Sequence, residues 1–494
     1  MKFFMLFGFI LAVLIGPGLA QDPTISDANA FQQALEKDGF TVQQGAIGFF
    51  DVIKLYEMGV LPNALGNNPS TRYLTYFVPP APGQKVPEEI AKIASTLGIN
   101  IEAAAFWNLG PDEAVVFVGR TPPECRYFSY DHYLISRTYG NETRWIWANV
   151  GDPVNNLVIN TEGTPNGTAG NPFNQTTVIV ATADRGIDQR IQAAALSAGY
   201  PDNIFNTQVL PSSMLNMGLG NSSDTFFIAM RPAFYKDKTA GDDYLNNTPA
   251  TVFRVTPNQT TKLDPYDYPK LRVRGTGTTE FDLMDDLEQL RNAILTKYSG
   301  STATEIPTSL IAISGNDAIQ RGIDLLGPNN DACYFWTSNQ TLSSPTPPFA
   351  NFSKYYDFVP HPVITLGNDT NEFIIIYGVN HVATGKTTYS SATIYGAKGW
   401  NGVGAIHDAS FNGTAEEFLP DNPNAKYLYV YKIARNCEGD PHCYEVPTGP
   451  GAYGVGLDDP VFLIWRNYLE KATKTGPSFF EIVYDRAIKF DPKT

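Results

Sequence analysis

Apolar positions along this chain fall mostly in short filled or alternating runs, the pattern of strands, and only a few stretches repeat with helical period. Residues 28–37 read as a short helix, and 41–55 as β-type sequence rich in Val, Ile and Phe. A proline-rich connector at 78–83 precedes a helix over 87–97, where Pro87 suits a first helical turn. Residues 113–119 form a buried-strand candidate, and 126–135 alternate with aromatics after the turn Thr121-Pro122-Pro123. The apolar run 177–182 leads into 184–198, an amphipathic helix with Ile187, Ile191, Ala194, Ala195 and Ala198 on one face. That strand-then-helix order suggests an α/β unit. Strands follow at 226–230 and 251–255, and 257–269 is polar and turn-rich. The clearest helix is 281–298, with Phe281, Met284, Leu287, Leu290, Ile294 and Tyr298 on one stripe and acidic residues where the helix dipole favours them. Strands at 372–378, 388–395 and 427–433 then lead to a helix over 461–472.

These elements predict an α+β, β-rich fold, strand modules with a few packed helices. The length exceeds what one hydrophobic core usually fills, so two domains are expected. The boundaries read as a signal peptide at 1–20, an N-terminal α+β domain at 21–330, a loop-rich linker at 331–362 and a C-terminal β-rich domain at 363–494. The linker contains Ser344-Pro345-Thr346-Pro347-Pro348. One internal echo stands out: Asp112-Glu113-Ala114-Val115-Val116-Phe117-Val118-Gly119 resembles Asn371-Glu372-Phe373-Ile374-Ile375-Ile376-Tyr377-Gly378. A duplicated β-module would explain it, and so would the small vocabulary of buried strands.

The compartment is the firmest functional reading. Lys2, the apolar run 3–15 and the small residues Gly18-Leu19-Ala20 have the form of a cleavable export signal, too short for a permanent span. Ten N-x-Ser/Thr acceptors follow, at Asn141, Asn166, Asn174, Asn221, Asn246, Asn258, Asn339, Asn351, Asn368 and Asn412, against about five expected by chance. Most lie in Gly/Pro/Asn-rich sequence that should form surface loops. The chain therefore reads as secreted and N-glycosylated, with no membrane span once the signal is removed. Charged residues make up only 17%, and the net charge of -15 argues against nucleic acid and anionic membranes as partners.

Four cysteines in an exported chain imply two disulfides, with three possible pairings. Cys437 and Cys443 enclose a tight loop containing Gly439 and Pro441, which favours a local bridge and leaves Cys125 to pair with Cys333. That second bridge would tie the two domains together, with a chain-entropy contribution of roughly 4 to 5 kcal/mol. A zinc site at Cys437, His442 and Cys443 is the rival, short of a fourth ligand.

The module Pro122-Pro123-Glu124-Cys125-Arg126-Tyr127-Phe128-Ser129 resembles a group of uncharacterised exported microbial proteins that place R-Y-x-S after a proline pair. The ending from Arg466-Asn467-Tyr468-Leu469-Glu470 through Gly476-Pro477 to Asp485-Arg486 is similar to theirs. The resemblance spans most of the chain. It implies a shared fold and export, and assigns no residue a role.

No nucleophile elbow, zinc helix, phosphate loop or dinucleotide fingerprint is present. Among five histidines, His381 is the best catalytic candidate, because it follows the strand ending at Gly378 and precedes Lys386, Tyr389 and Ser390. The bland reading makes it a turn residue on a solvated hairpin. His132 suits strand packing, His407-Asp408 lacks further ligands at metal spacing, and His361 and His442 look structural. Arg126 beside the proline pair and Arg185 at a helix start are candidate ligand-binding groups, although the junction at Asp184 reads first as a helix cap. Asp458-Asp459 and the Asp282, Asp285, Asp286 cluster lack calcium-loop spacing, so no metal and no cofactor is expected. Two readings remain. The first is binding of an unknown small molecule or extracellular surface through aromatic-rich loops; the second is an extracellular enzyme built on His381 with Lys386 and Tyr389.

Overall fold

The computed structural model describes residues 23–59, 61, 63–85, 103–311, 314–338, 364–449 and 451–493. The export signal, the helix expected at 87–97, the proline run at 344–348, His361, Asn339 and Asn351 lie outside them. Strand makes up 36% and helix 17%, so the fold is α+β and β-rich.

The chain divides into two compact units, each discontinuous in sequence. The first contains the described residues up to Asp51, then Thr71–Leu271 and Gly315–Asn329; the second contains Val52–Ser70, Arg272–Ser314 and the described residues from Asn330 onward.

In the first unit the helix α1 (Pro23–Lys37) precedes ten longer strands: β1 (Phe40–Gln44), β2 (Ala46–Phe49), β3 (Leu74–Phe77), β4 (Ala114–Arg120), β5 (Ser129–Tyr139), β6 (Glu142–Asn149), β7 (Thr176–Thr182), β8 (Phe205–Val209), β9 (Thr225–Met230) and β10 (Ala250–Pro257). One sheet runs β1-β10-β4-β7-β8 and the other β2-β3-β9-β5-β6. Pairing is antiparallel except for β7 with β8. The 13-residue crossover helix Arg185–Ser197 supplies the length that a parallel connection requires. Its start is capped as expected, with Asp184 accepting a hydrogen bond from the Ile187 N–H.

The second unit repeats this plan. Its strands are β11 (Ser301–Ile306), β12 (Thr308–Ile311), β13 (Ala332–Thr337), β14 (Phe373–Val379), β15 (Tyr389–Gly396), β16 (Asn401–His407), β17 (Leu428–Ala434), β18 (Cys443–Glu445), β19 (Val461–Tyr468) and β20 (Arg486–Pro492). Its sheets run β11-β20-β14-β17-β18 and β12-β13-β19-β15-β16, so every strand occupies the place of the one ten numbers earlier. The single parallel pair, β17 with β18, also corresponds. Here the crossover is short, residues 435–442, and the Cys437–Cys443 disulfide closes it where the first unit has a helix. The sequence echo falls on β4 and β14, the equivalent central strands.

The unbroken apolar run of β14 follows from its position. Phe373, Ile375 and Tyr377 pack with Leu287, Leu290 and Ile294 of the helix Met284–Lys297, while Ile374 and Ile376 face Phe335, Leu463 and Trp465 of the other sheet. A strand covered on both faces has no polar alternation. The same reason corrects one expectation: 461–472 is not a helix, because its first eight residues form β19, buried between β13 and β15.

The long-range bridge is also corrected. Only Cys437 and Cys443 are joined; Cys125 and Cys333 are separate, buried thiols. Cys125 sits on a short strand of the first unit, its Sγ donating to the Tyr127 carbonyl, and Cys333 belongs to the core of the second. The bridged sulfurs rule out the zinc alternative at Cys437 and Cys443, since a ligand must be a free thiolate.

A matching arginine clasp marks both units. In the first, the Asp324 carboxylate accepts from Leu326 N–H at 2.8 Å and holds Leu326 and Gly327 at φ 58° and 69°. Gly327 then donates to the Trp147 carbonyl, and Arg231 donates to the Gly327 carbonyl with its guanidinium over the Tyr73 and Tyr133 rings. In the second, Asn63 accepts from Leu65 N–H at 2.8 Å, with Leu65 and Gly66 at φ 54° and 61°. Gly66 donates to Trp400, and Arg466 donates to Gly66 while lying over Tyr334 and Tyr395. Leucine rarely adopts positive φ, so its recurrence at equivalent turns shows the surrounding contacts imposing it.

Candidate functional site

The loop leaving β14 turns inward. Its His381 is 1% exposed, with Nδ1 2.8 Å from a Glu280 oxygen and Nε2 3.5 Å from Asp485. Glu280 also accepts from the Thr384 hydroxyl and the Val483 N–H. Asp485 accepts from the Tyr429 hydroxyl at 2.7 Å, and Tyr429 accepts from the Trp465 indole at 2.9 Å. Gly378 makes the approach possible, because a Cβ there would lie 2.7 Å from Asp485 Oδ1.

Electrostatics fixes the protonation of this cluster. Burial pushes the His381 imidazolium down, but the two carboxylates more than reverse it and raise its pKa to about 10. Burial likewise pushes Glu280 up, and the facing imidazolium outweighs that and lowers it. His381 is therefore a cation at neutral pH, with Nδ1–H directed at Glu280 and Nε2–H at Asp485.

Lys386, 5% exposed, forms a second cluster. Its Nζ meets Glu470 at 2.8 Å, Glu481 at 2.5 Å and the Thr278 carbonyl at 2.7 Å. Glu481 also accepts the N–H groups of Thr276 and Gly277; burial opposes ionisation, yet these donors and Lys386 lower its pKa to about 2. The two clusters are stitched together by the Glu280 N–H donating to the Glu481 carbonyl.

The remaining expected site residues lie elsewhere. Tyr389 is buried in β15 and stacks on Tyr468 at 5.2 Å, a strand-packing role. Arg126 is exposed on a short strand of the first unit. Arg185 pairs with Asp264 at 2.8 Å and lies over Tyr266, so its charge already faces carboxylates. His132 is buried against the Val209 carbonyl, and burial lowers its pKa to about 4. Asp286 binds Asn422 and Asn424, and Asp459 pairs with Lys398. Among the described residues no group of three or more His, Cys, Asp or Glu side chains could hold a metal ion. The sequence assigns no role to Glu280, Asp485, Tyr429, Glu470 or Glu481, since each lies at least 40 positions from the loop they hold; Glu470 and Asp485 stand in the ending that carries the resemblance, which gives no residue a role.

Beside these clusters lies a groove of about 800 Å³. Its walls are largely apolar, from Phe281, Met284, Ile306, Phe480, Ile482 and Val483, with Glu305, Thr308, Asp485 and Arg486 as its polar members. Phe281, Met284 and Phe480 are 49%, 40% and 80% exposed, a concentration of exposed large apolar side chains on one feature. Glu280 and Asp485 thus fasten two segments of the groove wall, before Phe281 and before Arg486, to the buried imidazolium.

No family model and no curated protein matches this chain. Among solved structures it is similar to the VPA0106 protein of Vibrio parahaemolyticus, at 11% identity over 95% of this chain and 99% of that one, with a TM-score of 0.36. It is also similar to an uncharacterised protein from Burkholderia cenocepacia, at 10% identity over 96% and 91%, with a TM-score of 0.36. Likeness at that level does not define a shared fold.

Proposed function

We propose that this chain is a secreted, N-glycosylated protein of the exported microbial kind its sequence resembles, and that it binds an apolar extracellular ligand in the groove beside Phe480. The observation that carries this reading is the clustering of Phe281, Met284 and Phe480, all solvent-exposed, around a concavity of ligand size; pockets for drug-sized molecules run roughly 300–1,000 Å³. The buried ion clusters act as its frame, fixing two wall segments that would otherwise be irregular loops. Burial supports the glycosylation half. All eight described acceptor asparagines, Asn141, Asn166, Asn174, Asn221, Asn246, Asn258, Asn368 and Asn412, are exposed. Ten other asparagines, Asn63 and Asn206 among them, are buried, and none of those stands in an acceptor triplet.

An enzyme using His381 as general base draws no support from this geometry, since a base must be deprotonated and within reach of substrate. The test is titration of the secreted protein with the neutral fluorophore Nile red. Binding should weaken at least tenfold in a Phe281→Ser, Phe480→Ser double variant whose circular dichroism is unchanged. Undiminished binding in that variant would remove the groove from consideration.

A further inference from the structure

We infer that the groove's ligand is an anionic single-chain amphiphile, a long-chain fatty acid, with its carboxylate on Arg486 and its tail along Phe281, Met284 and Phe480. This rests on the groove-binding reading above and adds the chemical class of the ligand. The polar members of the wall carry the argument, because they differ in what already occupies them. Glu305 takes the Arg291 guanidinium at 2.6 Å. Asp485 is held by Tyr429 and His381. Neither acid is available to a cationic head. Among the described residues of the wall Arg486 is the one cation, and its ion pair is a 3.5 Å contact to the half-exposed Glu288. A partly exposed pair of that length contributes little and is readily exchanged for a carboxylate that can accept two parallel N–H bonds. A guanidinium on a largely apolar wall whose acids are already paired is the complement of a fatty-acid head and tail. Neither described acceptor asparagine of this unit, Asn368 or Asn412, is among the lining residues.

The experiment compares dodecanoate, dodecanol and dodecylammonium, each below its micelle concentration, by displacement of Nile red from the full secreted protein at neutral pH. Dodecanoate should bind at least tenfold more tightly than dodecanol, and dodecylammonium more weakly than either. In Arg486→Gln the anion and the alcohol should bind alike, with dodecanol affinity retained as the sign of an intact groove; Arg486→Lys should keep part of the preference. Added salt should weaken dodecanoate and leave dodecanol unchanged. Equal affinity for anion and alcohol in the native protein, or a preference that survives Arg486→Gln, overturns the fatty-acid assignment while leaving groove binding standing. If none of the three displaces the fluorophore, both fall.

Discussion

Asp324 and Asn63 occupy equivalent turns, make the same 2.8 Å bond to the N–H two residues on, and differ only in charge. Asp324 is 2% exposed, and its second carboxyl oxygen has no hydrogen-bond partner. Burial raises its pKa to about 7, opposed only in part by the Leu326 N–H. Replacing it with Asn keeps the acceptor that holds the turn and removes the charge. An acid whose folded pKa lies above its unfolded value leaves the fold unpenalised below about pH 4, and the fold loses stability as pH rises to about 7. Raising the carboxyl from its ordinary range to about 7 makes the full penalty on the order of 4 kcal/mol, part of it already present at pH 5. Asp324→Asn should therefore match the native protein near pH 4 and exceed it by a few kcal/mol at pH 8. Urea denaturation at those two pH values, followed by tryptophan fluorescence, reads the difference. A variant no more stable at pH 8, or equally stabilised at both, would refute the account of Asp324 as a neutral stand-in for the amide.

Replacing His381 with Gln leaves Glu280 and Asp485 buried without their cation and should destabilise the protein by about 3 to 5 kcal/mol, against under 1 kcal/mol for a solvated turn, as thermal or urea unfolding will distinguish. Because His381 is raised from 6.5 to about 10 in the fold, its contribution is fully present below about pH 6.5 and lost as pH climbs to 10, so native stability should fall over that interval and a His381→Gln variant should lack that part of the fall. Enzymatic deglycosylation of protein secreted from a eukaryotic host should release glycan from most of the eight exposed acceptors, and mass spectrometry finding fewer than three occupied would contradict their reading. Peptide mapping without reductant should recover Cys437 linked to Cys443, while Cys125, its thiol pushed up to about 12 by burial, and Cys333, also raised by burial, should resist iodoacetamide until the protein unfolds.

Local sequence determined the elements whose neighbours do not matter: the stripe from Leu287 to Ile294, the Asp184 cap, the central strands β4 and β14, and the tight Cys437–Cys443 loop. It also carried the duplication, in the echo between 112–119 and 371–378, though only as one explanation of two. Residues 461–472 read as helix in sequence because the strand they begin with, covered on both faces, has no period of two to betray it. The two remaining cysteines were paired by elimination, yet a disulfide needs Cβ atoms within about 4.5 Å, a condition set by the fold and not by parity. The site shows the same division most clearly. His381 and Lys386 were visible as a loop after a strand, but whether such a loop meets water or carboxylates depends on chain from far away in the sequence: Glu280, Glu470, Glu481 and Asp485. Those partners turn a candidate base into a fixed cation, and they aim the wall of the groove, because ionisation follows the desolvation and charge that only tertiary packing brings together.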